Sequence, residues 1–162
     1  MSKPFVRDAG AEAELAVHWR VAARALGETR VLDLSCACFG DGESIGVEGR
    51  AIYLPSAWAR PEQAARAAHL ALHRAEPPWS NGEGPCQARV EHAVQLEAAA
   101  HVLEVNARRA LGVTGARYPF ERELAQVPRA ERVRWLRDYF WAHPQAEEGR
   151  LGIVPSYRQR CN

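Results

Sequence analysis

The sequence predicts an α+β fold: a small antiparallel β-hairpin packed with several helices, in a single domain over residues 1–162. Three observations carry that reading. Apolar residues recur at helical spacing in separate stretches before and after a short segment of β-compatible residues. That segment is broken by a glycine-rich turn signal. No internal repeat, low-complexity tract or linker divides the chain, and 162 residues suffice to bury a core without staples.

The elements follow in order. Leu15, Trp19, Ala22 and Leu26 mark a helix over 10–27, with Gly27 as its stop. From Arg30 to Phe39 the residues suit a strand, with Leu32, Leu34, Cys36 and Cys38 on one face. The segment Gly40-Asp41-Gly42-Glu43 is a turn, and a second strand over 44–54 is expected to pair antiparallel with the first. Pro61 opens a helix that runs to about Ala75 before Pro77-Pro78. The prolines and glycines between Glu76 and Gln87 make an irregular loop. A long helix covers 88–111 and stops at Gly112, and a further one covers 128–141, built on Val133, Leu136 and Phe140. The rest of the chain reads as an irregular tail.

Composition narrows the function classes. The chain is 47% hydrophobic and 25% charged, as a globular protein is, with 21 Lys and Arg against 20 Asp and Glu. No global field therefore recruits nucleic acid or an acidic membrane. Arg129, Arg132, Arg134 and Arg137 cluster with Trp135, Tyr139 and Phe140, yet Glu131 and Asp138 interleave, which suits a solvated face opposite a core stripe. The N-terminal residues have no apolar core of the secretory type, and no apolar run reaches the ~20 residues that cross a bilayer. The four cysteines, Cys36, Cys38, Cys86 and Cys161, lack zinc-finger spacing, and reduced thiols in a cytoplasmic protein are expected. Ligation of a metal by Cys36, Cys38 and Cys86 is the weaker reading. No phosphate loop, nucleophile elbow or dinucleotide fingerprint is present.

The informative constellation lies on the two central helices. His69 and His73 are four residues apart in His69-Leu70-Ala71-Leu72-His73, which puts both imidazoles on one helical face, close enough to share a metal ion. The spacing predicts that they project toward the helix over 88–111. That helix carries Glu97 and His101, again four apart, on a stripe with Val90, Val94 and Val105. A carboxylate and an imidazole within an apolar stripe need partners or a metal. A polar network of His69, Glu97 and His101 without any ion satisfies the same pattern.

The order and spacing of these residues resemble the gluzincin branch of the zincin metallopeptidases. In that family a β-strand precedes a helix bearing His-Glu-x-x-His, and a later helix supplies a glutamate ligand. Ala51-Ile52-Tyr53-Leu54 stands in for the strand, His69 and His73 for the paired histidines, and Glu97 for the glutamate, so the resemblance covers roughly residues 30–110. It implies a zincin-like fold and a zinc site of His69, His73 and Glu97. One departure is decisive for activity. Leu70 occupies the position of the glutamate that deprotonates zinc-bound water, and leucine takes no proton. The resemblance therefore implies a non-proteolytic binding or regulatory protein with a protein partner, retaining zinc. Two alternatives stand beside it. One is an active metal-dependent hydrolase using a substitute carboxylate, Glu76 or Glu62. The other is a helical interaction module with no metal site.

Overall fold

A computed structural model describes residues 4–41, 46–79, 84–145 and 152–162. Among them are six α-helices and one four-stranded sheet, so the fold class is α+β. The chain divides into two compact units, one of residues 1–76 and 103–114, the other of residues 77–102 and 115–162.

The first unit begins with β1 (Val6–Arg7) and α1 (Ala9–Leu26). Both ends of α1 are capped, the C-terminal one at Gly27 as expected. The Asp8 carboxylate accepts the Ala11 N–H at 3.0 Å. Gly27 adopts φ 64°, the left-handed conformation that closes a helix on its own carbonyls. β2 (Ala37–Gly40), β3 (Gly46–Glu48) and β4 (Ala51–Pro55) complete the sheet in the order β1-β2-β4-β3.

The sheet corrects the expected hairpin. β2 and β4 pair in parallel, with Ala37 opposite Ile52 and Phe39 opposite Leu54. The antiparallel partner of β4 is β3, which lies within the same predicted strand. The tight turn is Gly49-Arg50, where Gly49 supplies φ 57° for a two-residue loop. The chain from β2 thus passes through the outer strand β3 before returning beside β2. The sheet is mixed rather than antiparallel. Residues 30–36 carry no strand at all, and of the predicted turn and second strand, residues 42–45 lie outside the described residues.

α2 (Arg60–Ala75) lays an alanine surface on this sheet. Ala64, Ala67 and Ala68 pack with Leu15 and Trp19 of α1, Ile52 and Leu54 of β4, and Leu103 and Ala107 from the end of α3 (Cys86–Ala110). Small side chains let the α2 backbone approach closely. Two polar ties fix its position. The fully buried Gln63 donates to the Pro55 carbonyl at 2.8 Å, and Arg74 donates to the carbonyls of Asp33, Ser35 and Arg50. α2 is thereby anchored to the sheet at both ends.

The second unit contains residues 86–102 of α3, then α4 (Glu121–Leu124), α5 (Arg132–Ala142) and α6 (Ile153–Arg158). Its buried residues include Val90 and Val94 of α3, Phe120, Leu124, Leu136 and Phe140, and Ile153 and Val154 of α6. The expected helix over 128–141 appears as a 3-10 turn at Arg129–Glu131 followed by α5. The tail is more ordered than expected, because α6 forms there. The thiols are corrected too: Cys86 and Cys161 form a disulfide with Cα atoms 5.8 Å apart. Their separation of 75 residues hides the pairing from any spacing rule. Cys36 and Cys38 are free thiols, and Cys36 sits at φ 61°, off the strand.

Candidate metal centre

α2 and α3 carry the polar side chains that interrupt the apolar cores. On α2, His69 is buried and its ring meets that of His73 edge-on, with centroids 4.6 Å apart. His69 Nδ1 lies 2.8 Å from Oε2 of Glu104 on α3, so His69 does project toward that helix. Arg66 donates to the same carboxylate oxygen at 2.9 Å. Glu104 is 1% exposed, and a carboxylate so far from water requires cationic or N–H partners of this kind. Glu104 Oε2 thus sits between the Arg66 guanidinium and the His69 ring.

The second unit treats His101 the same way. Its Nδ1 is 2.8 Å from the backbone carbonyl of Glu97, one turn earlier on α3. A carbonyl only accepts, so Nδ1 donates. The imidazole is 2% exposed and lies among the rings of Tyr118, Phe120 and Phe140 at 5.0–6.0 Å. Glu97 Oε2 stands 3.5 Å from His101 Nδ1, and its Oε1 accepts the Tyr157 hydroxyl at 2.6 Å.

Each unit thus holds part of the expected set: His69, with the His73 ring against it, lies in the first unit, and Glu97 lies beside His101 in the second. Imidazole and carboxylate are both donors that zinc accepts. Glu104 escaped the sequence reading, although the signal was present. It follows Glu97 and His101 at spacings of seven and three, and so extends the same stripe of α3.

The residues considered as substitute bases are placed elsewhere. Glu62 lies 3.4 Å from the Arg108 guanidinium, and Glu76 is an exposed residue at the C-terminal cap of α2. Leu70 is buried in the apolar cluster of the first unit. No helix among the described residues is long and apolar enough to cross a membrane. The chain matches no protein-family model, no curated protein and no solved structure.

Proposed function

We propose that this is a zinc-binding protein of zincin-like type, with Glu97 and His101 of the second unit among its ligands, that does not cleave peptides. One observation supports the ligand set above the rest. The buried His101 imidazole donates from Nδ1 to the Glu97 carbonyl and lies beside the Glu97 carboxylate, a ligand type that zinc accepts. When bound, zinc supplies Lewis acidity and lowers the pKa of water toward ~7. The Glu97 carbonyl would hold the His101 ring in place for it.

The absence of peptide cleavage rests on Leu70. Amide hydrolysis requires a proton to be carried to the leaving amine, and general acid–base groups typically contribute ~10²–10⁴-fold to such steps. Leu70 carries no proton, and Glu62 lies against Arg108. The reading makes the protein a binding or regulatory component rather than a hydrolase.

The test is metal analysis of the purified full chain, followed by zinc titration against a chromogenic chelator. The expected result is one zinc per chain for wild type and loss of binding in Glu97→Ala and His101→Ala. Zinc-loaded wild type should show no turnover of general peptide substrates. Zinc-free protein that takes up no metal would defeat the reading. Robust wild-type cleavage, abolished by His69→Ala, would replace it with an active hydrolase.

A further inference from the structure

We infer that Tyr157 is the positioning residue for the ligand carboxylate of Glu97, held in place by the Cys86–Cys161 disulfide. This rests on the metal reading above and adds the device that orients one of its ligands. Tyr157 sits on α6, is 5% exposed, and donates its phenol to Glu97 Oε1 at 2.6 Å. That length is typical of a hydroxyl donating to an ionised carboxylate, roughly twice as strong as a neutral pair. The bond holds Glu97 in a single orientation on α3.

The ring is fixed as firmly as the hydroxyl. Trp79 stacks on Tyr157 with centroids 5.9 Å apart and planes 22° apart, and the Arg160 guanidinium lies 5.2 Å from the centroid of the Tyr157 ring. Arg89 of α3 lies 5.0 Å from the ring centroid of Trp79 in turn, so the stack returns to the helix that carries Glu97. Four residues after Tyr157, Cys161 is bonded to Cys86 at the first position of α3. The C-terminal segment is thus tied to α3 by a covalent bond at its end and by a hydrogen bond at Glu97. A six-residue helix has little stability of its own, and these ties supply it.

The separable prediction is that the phenol oxygen matters, not only the ring. Tyr157→Phe keeps the stack and removes the hydrogen bond. Loss of a partner to a metal-ligating group typically weakens metal binding ~10–100-fold, and that is the expected change in zinc affinity for Tyr157→Phe. Cobalt substitution gives a second readout: the visible ligand-field bands should shift in Tyr157→Phe, which a purely structural role would not cause. The Cys86→Ser/Cys161→Ser double variant should weaken zinc by a similar factor. Adding Tyr157→Phe to it should then cost little more, because both changes release the same carboxylate. Zinc affinity and cobalt spectrum unchanged in Tyr157→Phe, with binding still lost in His101→Ala, would overturn this inference and leave the metal reading intact. No zinc uptake by wild type would overturn both.

Discussion

Glu104 shows how strongly one residue depends on its partners. Its carboxylate is almost wholly withdrawn from water, with Arg66 and His69 both within 2.9 Å. Replacing it by alanine leaves the mostly buried Arg66 guanidinium without this partner, and breaking a buried pair costs about 3–5 kcal/mol. Glu104→Ala should therefore lower the unfolding free energy by that amount, read as a lower denaturation midpoint at unchanged slope, and an unchanged midpoint would show that water already screens the pair. Glu28 gives a milder, pH-dependent case. The Arg30 guanidinium lowers its pKa from the ordinary 4.5 to about 2. A depressed carboxylate contributes stability above the unfolded value and loses it as pH falls toward the folded one. Because Arg30 is half exposed, Glu28→Gln should cost at most ~1 kcal/mol at pH 7. The difference from wild type should shrink as pH falls from about 4.5 through 2, as acid titration of both proteins would show. The paired histidines and the polar stripe were legible in sequence because helical spacing fixes which residues share a face. Which of those residues meet across two helices is a matter of packing, and there Glu104, which the spacing reading left out, is the residue that meets His69.

The helices were legible element by element, since their caps and apolar periods are local. α1 begins at Asp8 and ends at Gly27 for reasons written within a few residues of each end. Asp8→Ala should destabilise the protein by about 1 kcal/mol, the usual cost of losing an N-cap side chain, read from chemical denaturation at neutral pH. The strands were harder. β-compatible alternation marks a strand without naming its neighbour, and two glycine turns stood close together in sequence. The true hairpin uses Gly49, and β4 then finds β2 in parallel through contacts that no local pattern records. α6 escaped for a different reason. Pro155 argues against a helix, yet it lies in the first turn, where backbone N–H groups have no intrahelical partner to lose.

At the scale of the molecule, one covalent link closes a long loop: Cys86–Cys161 spans 75 residues of sequence. Chain-entropy arguments assign such a loop about 4 kcal/mol of stabilisation, chiefly through the unfolded state. Thermal melts with and without a non-chelating reductant should show the loss, and an unchanged melting temperature would mean that the reduced chain is equally constrained. Connectivity has another effect during synthesis. The first unit needs residues 103–114, which follow the opening helix of the second. A ribosome adding about 5–20 residues per second takes roughly 2–8 s to add the 38 residues from Pro77 to Thr114. During that interval the nascent chain carries α1, the sheet and α2 without Leu103 and Ala107, which complete their core. The N-terminal segment cannot finish folding first, so the apolar faces of α1 and α2 must wait, exposed to chaperones, for the end of α3 to emerge.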